Sequence, residues 1–226
     1  MVVDLAFAPF AVLAFIAAAL GTVLGVAVIL TSKFAGSGKL ARLMTKVLIV
    51  GLSAYVLLML AASLTSHEHL LARGEEKHFC EIDCHIAYSV VDVQKTSALS
   101  GAAAPLKAGN FYVITLRTRF DETTIGPHRG NGTLQPNEHQ LSIVDARGNL
   151  FSPIPEANGT DAADPQDGTP LDRPLRPGEH YETKIIFDLP ASVEAPRLLV
   201  WQPAWPNTFL IGHENSPLHK KAYFAL

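Results

Sequence analysis

A two-helix membrane hairpin followed by an all-β domain is the architecture this chain predicts, on three observations. The first third holds two long apolar runs, and the chain beyond about residue 86 breaks into short alternating runs punctuated by Gly, Pro, Asn and Asp. Between them lies a short stretch that contains both cysteines and four of the nine histidines. The chain has 226 residues and a net charge of only −3, with no long cationic block, so nucleic acid is not an expected partner.

The first span is read at 5–30, uncharged throughout. At about 1.5 Å per residue it is long enough to cross a hydrocarbon core of roughly 30 Å. Pro9 falls near its start, where a missing amide donor costs little. The acidic start at Asp4 is unlike a cleavable signal peptide, so the segment is expected to be retained. The second span is read at 43–65, an apolar run over 47–64 extended by Leu43 and Met44, with Lys46 snorkelling toward the headgroups. The loop 31–42 between them carries Lys33, Lys39 and Arg42, which the positive-inside rule places in the cytoplasm. Residues 1–66 thus form the hairpin, in a bacterial inner membrane, with both termini and the rest of the chain periplasmic. Ala17, Gly21 and Gly25 recur every four residues on the first span, a face on which the second helix or a foreign subunit can approach closely.

The junction 67–85 reads HEHLLARGEEKHFCEIDCH. Its Cys80-Glu-Ile-Asp-Cys84-His85 core has four readings. A disulfide leads: the compartment is oxidising, and a turn can bring two α-carbons this close in sequence to the roughly 4.4–6.8 Å a disulfide needs. Alternatively the two thiolates, with His85 and one of His78, His67 or His69, make a soft donor set for copper or zinc. Covalent haem attachment normally uses Cys-x-x-Cys-His, one residue shorter, and a thiol redox pair would want a βαβ setting. In the leading reading no cofactor is expected. His67 and His69 are otherwise interfacial residues at the end of the second span.

Residues 86–226 are read as the external β-domain. Strands are expected at 85–93, 111–120, 139–144, 181–189 and 197–201. In the second, Tyr112, Ile114 and Leu116 share one face, and Thr115, Arg117 and Arg119 the other. Turns are expected at 145–148, where Gly148 can take a positive φ, and at 176–179. Two long polar connections, 121–137 and 153–177, are expected to serve as contact loops. Trp201, Trp205 and Phe209 form the densest aromatic cluster; Trp201 closes a strand, while Trp205 beside Pro206 suits a partner contact or the membrane interface.

The runs YVITLRTRFDETT, LSIVDARGNLFSP, LRPGEHYETKIIFDLP and APRLLVWQ resemble the telokin-like, immunoglobulin-type β-sandwich domains of bacterial extracytoplasmic proteins. The resemblance rests on Asp145 and Gly148, then Pro177, Gly178 and Glu179, then Phe187 and Pro190, and covers 111–202. It implies an immunoglobulin-like sandwich that mediates contacts and no reaction. The overall plan is also similar to cytochrome oxidase subunit II. There, however, the cysteines lie late in the β-domain with a His four residues after the second. Here Tyr88 holds that position, so no binuclear copper site is implied.

No Ser-His-Asp set, phosphate loop, His-Glu-x-x-His or paired-carboxylate arrangement falls on a suitable element. The expected function is therefore non-enzymatic: an accessory subunit whose partners are the lipid bilayer and other integral-membrane subunits, in a photosynthetic reaction-centre, light-harvesting or respiratory assembly. The competing expectation is a copper-, zinc- or haem-binding electron-transfer or metal-handling protein that uses the Cys/His junction.

Overall fold

The computed structural model describes residues 8–79, 85–99, 109–154, 171–202 and 205–226. They form two compact units: Val3–His67 with Ala204–Lys221, and Glu68–Pro203 with Ala222–Leu226.

The first unit is built on α1 (Ala8–Phe34) and α2 (Gly38–Leu64), each of 27 residues. Both are long and apolar enough to cross a membrane. They run through the basic residues expected in the loop and leave a turn of Ala35, Gly36 and Ser37, in which Gly36 takes φ +72°. A side chain there would be strained, since the left-handed region crowds a Cβ. Most large side chains on both helices point away from protein; Leu13, Leu20, Val23, Val50 and Leu57 are all more than half exposed. Threonine hydroxyls in these runs are satisfied by carbonyls of their own helix. Thr22 donates to the Ala18 carbonyl at 2.7 Å and Thr45 to that of Ala41 at 2.9 Å.

The rest of this unit comes from the far end of the sequence. A 3-10 helix at Trp205–Phe209 is held by the Tyr55 hydroxyl, which donates to the Phe209 carbonyl at 2.6 Å. The Phe209 ring stacks on Phe15 of α1, with centroids 6.5 Å apart. The Lys220 amide donates to the Ser66 hydroxyl oxygen at 2.8 Å, just beyond α2.

The second unit packs two sheets on one core. Its strands are β1 (His69–Leu71), β2 (Lys77–Phe79), β3 (Ile86–Thr96), β4 (Asn110–Phe120), β5 (Gln140–Val144), β6 (Leu150–Phe151), β7 (His180–Leu189), β8 (Arg197–Trp201) and β9 (Ala222–Ala225). One sheet has the order β2-β3-β4-β7 and the other β1-β9-β8-β5-β6. The alternation read in the sequence governs β4, where Ile114, Leu116, Thr118 and Phe120 are buried and Thr115, Arg117 and Arg119 face outward. Tyr88, Val90, Ile185 and Phe187 complete that sheet's inner face, opposite Ile143, Leu198, Val200 and Phe224. Burying each such side chain contributes about 1.5–3 kcal/mol, the main favourable term for the sandwich.

All five expected strands are present. Both expected turns form, with Gly148 at φ +82° and Gly178 at φ +80°. The first is tied by Asp145, whose carboxylate accepts from the Arg147 and Asn149 amides at 2.9 and 2.8 Å. The two long connections are joined to each other where they are described. Leu134 and Leu175 exchange backbone bonds of 2.9 and 3.0 Å, and Leu175 is buried. Residues 155–170 of the second connection lie outside the described set.

Two strands begin earlier than the sequence suggested. β1 and β2 come from the stretch 67–85, with β1 pairing parallel to β9 and β2 antiparallel to β3. Each is only three residues long, too short to show a period of two.

Candidate functional site

β2 and β3 form a hairpin in which Lys77 faces Tyr88, His78 faces Ala87 and Phe79 faces Ile86. Alternation turns Lys77 and Phe79 toward the core and His78 outward. Beyond β3, Arg119 of β4 pairs with Ala87, so one small residue separates Arg119 from His78 in that row of the outer face. The sequence around β4 thus sets a cation beside β2.

Arg119 is the hub of the polar cluster that results. Its Nε and Nη2 donate to the two carboxylate oxygens of Glu76 at 2.6 and 2.8 Å, a parallel fork. Its guanidinium also reaches Asp121 and Glu122 at 3.4 Å each. Asp121 caps the 3-10 helix at Glu122–Thr124, accepting from the Thr123 amide at 3.0 Å and the Thr123 hydroxyl at 2.7 Å. His78 Nε2 lies 3.1 Å from the other Asp121 oxygen. On the neighbouring turn His85 Nδ1 is 2.7 Å from the Thr124 hydroxyl, its ring stacked on Phe120 at 5.4 Å, and the Asp121 amide donates to the His85 carbonyl at 2.7 Å.

Burial alone would push the Asp121 carboxyl up. Hydrogen bonds from Thr123 and His78 and the charge of Arg119 outweigh it and bring it down to about 2. Glu76 is likewise held below its ordinary value, first by the Arg119 fork. Both carboxylates therefore stay ionised at neutral pH, which suits an electrostatic clamp and not a general acid. Glu76, His78 and Asp121 do bring one ligand atom each within 4.8 Å of one another. Arg119 already supplies the cation there, so an ion among these three alone would have to displace a guanidinium.

Beneath the cluster, Lys77 is almost fully buried, at 1 % exposure. Its ammonium donates to the carbonyls of Val200 at 2.8 Å and Ala222 at 3.4 Å and lies 4.7 Å from the Phe79 ring centroid. One charged side chain from β2 thus ties the opposing sheet at β8 and β9.

Of the junction residues singled out in the sequence, Cys80 and Cys84 lie outside the described residues. His78 and His85 come to the same end of the β2–β3 hairpin, and in sequence they stand two residues before Cys80 and directly after Cys84. His69 is on β1 in the other sheet, and His67 precedes it, exposed. The aromatic cluster divides: Trp201 ends β8, while Trp205 and Phe209 belong to the helical unit. Sequence reasoning passed over Glu76, Lys77, Arg119, Asp121 and Tyr55. The Asp121-x-Thr123 capping pattern was the one local signal available; the others depend on strand register and long-range packing.

On α1, Gly25 is buried against Leu48, whose Cδ2 would lie 2.7 Å from a Cβ at that position. Ala17 and Gly21 line an apolar groove of about 380 Å³ between α1 and α2, closed by Leu48, Gly51, Leu52 and Tyr55. A Cβ added at Gly21 or Gly51 would meet nothing within 4 Å.

No family model matches the chain. No curated protein matches it either. Among solved structures, the secreted protein MPT63 of Mycobacterium tuberculosis is similar over 62 % of this chain and 100 % of its own, at 18 % identity and a TM-score of 0.39.

Proposed function

We propose that this chain is a non-catalytic accessory subunit of an integral-membrane complex, of the photosynthetic or respiratory kind. In this reading α1 and α2 cross a bacterial inner membrane, and the β-sandwich, of immunoglobulin type, is the periplasmic contact domain. Cys80 and Cys84 form a disulfide.

The observation that carries the reading is the groove beside Gly21 and Gly51. In lipid, helices associate through close van der Waals packing and not through the hydrophobic effect, so small residues that leave a backbone open favour a further helix. Gly25 is filled by the hairpin's own Leu48, whereas Gly21 and Gly51 stay open. The test is co-purification of a Gly21→Leu/Gly51→Leu variant from native membranes. A Cβ at either position meets nothing within 4 Å and the longer side chains occupy the groove, so the chain is expected to insert normally and lose its partners. Undiminished partner recovery contradicts the reading.

A second reading is favoured by His78. A metal-bound histidine usually hands its other ring N–H to a carboxylate, and His78 Nε2 faces Asp121 at 3.1 Å, which leaves Nδ1 as the ligand atom. With Cys80, Cys84 and His85 it makes an N/S set suited to copper or zinc. The two readings differ in the state of the cysteines. Two reactive thiols and one bound ion per purified chain support the metal site; no reactive thiol and no retained copper or zinc support the disulfide.

A further inference from the structure

The Trp205–Phe209 helix belongs with the apolar helices and not with the sheets, and its level along them is fixed by two contacts. Phe209 stacks on Phe15, about 10 Å along α1 from Ala8 at 1.5 Å per residue. Its carbonyl accepts from Tyr55, about 13 Å back along α2 from Leu64. Each 27-residue helix is about 40 Å long, matching hydrocarbon core plus headgroups, so Phe209 sits near or just inside the hydrocarbon boundary at the hairpin end away from Gly36.

At that level a bare hydroxyl or carbonyl is costly, and Tyr55 and Phe209 satisfy each other. The surrounding surface is apolar on both helices: Phe10 and Leu13 on α1 and Leu57 and Leu58 on α2 are all more than 60 % exposed. Trp205 meets Phe209 edge-on at 5.7 Å and is itself 73 % exposed. An indole combines an apolar body with one N–H donor, the chemistry that favours the boundary between acyl chains and headgroups.

We propose that residues 205–209 form a membrane-seated lip on the hairpin, with the Trp205 indole in contact with lipid at the acyl–headgroup boundary of one leaflet. The inference rests on the reading that α1 and α2 span the bilayer, and it adds a third contact with lipid that comes from the C-terminal part of the chain. It also gives the Tyr55 hydroxyl a role, as the tether that sets the depth of the lip.

The test uses the full chain reconstituted into phosphatidylcholine vesicles whose acyl chains carry bromine either near the headgroup or near the chain end. Trp201→Phe leaves Trp205 as the one tryptophan. A control chain, Trp201→Phe/Trp205→Phe/Val23→Trp, reports the middle of α1. The expected result is quenching of Trp205 mainly by shallow bromine and of the Val23→Trp indole mainly by deep bromine. Quenching of the control without quenching of Trp205 overturns the lip, and points to a protein partner or water at that surface. Quenching of neither overturns the spanning reading and the lip with it. Should Trp201→Phe fail to fold, the difference in quenching between the wild-type chain and Trp205→Phe isolates the same indole.

Discussion

Glu76 and Arg119, separated by 43 residues, meet through two parallel bonds of 2.6 and 2.8 Å that fix the edge of the four-stranded sheet. The fork joins the residue preceding β2 to the last turn of β4. It sits on Asp121, so three charged groups share one environment.

Removing the cation should cost more than removing one of its partners. Arg119→Ala leaves Asp121, only 6 % exposed, without its main compensating charge, and is expected to destabilise the sandwich by on the order of 3 kcal/mol. Glu76→Gln keeps the shape and one acceptor, and is expected to cost about 1 kcal/mol. Denaturant titration of the two variants in detergent, followed by the sheet's circular dichroism, checks the order.

The same cluster sets an acid limit. Asp121 and Glu76 both titrate below their ordinary values, Asp121 at about 2. Lowered folded-state values mean that the unfolded chain binds protons first, so this contribution is complete above about pH 5 and is lost as the pH falls through 4 toward 2. It amounts to on the order of 2 kcal/mol for Asp121. Thermal unfolding of Asp121→Asn is expected to show a flatter slope than wild type in that window and a lower midpoint at pH 7. An unchanged slope contradicts the assignment.

Backbone proximity predicts a sharp contrast between two glycines. A Cβ at Gly109 would overlap the Leu189 carbonyl, where β4 begins beside the end of β7. Gly109→Ala is expected to destabilise by at least about 3 kcal/mol, because backbone must move. At Gly126 a Cβ meets nothing within 4 Å. Gly126→Ala is expected to be within about 0.5 kcal/mol of wild type by the same assay.

Much of the fold was legible because it depends on local periodicity. Long uncharged runs mark α1 and α2, alternation marks β4 and β7, and the glycines at 148 and 178 mark turns that need positive φ. What was not legible depends on contacts between distant segments. A lysine in a short polar stretch reads as an outward charge, yet the pairing of Lys77 with Tyr88 turns it inward, where two carbonyls of the opposite sheet receive it. The segment WPNTF reads as part of the β-domain because it follows β8, and only the pairing of Tyr55 with Phe209 returns it to the helices. The Arg119 cluster was missed for the same reason: its members approach one another through strand register, not sequence spacing.

Lys77 itself gives a further test. Lys77→Ala removes both donated bonds and leaves a cavity, and is expected to cost about 3–5 kcal/mol. Lys77→Met retains the bulk of the stem and is expected to cost markedly less. Equal losses in equilibrium unfolding would mean that the ammonium, not the packing of the stem, carries the whole effect.

The central claim is that the chain works as a subunit. Native membranes solubilised in mild detergent, with the chain followed by native electrophoresis and its companions identified by mass spectrometry, test it most directly. The account predicts that the 24.3 kDa chain migrates in a much larger species together with integral-membrane partners in fixed ratio. Migration of all of it as a lone chain in its detergent micelle would contradict the account.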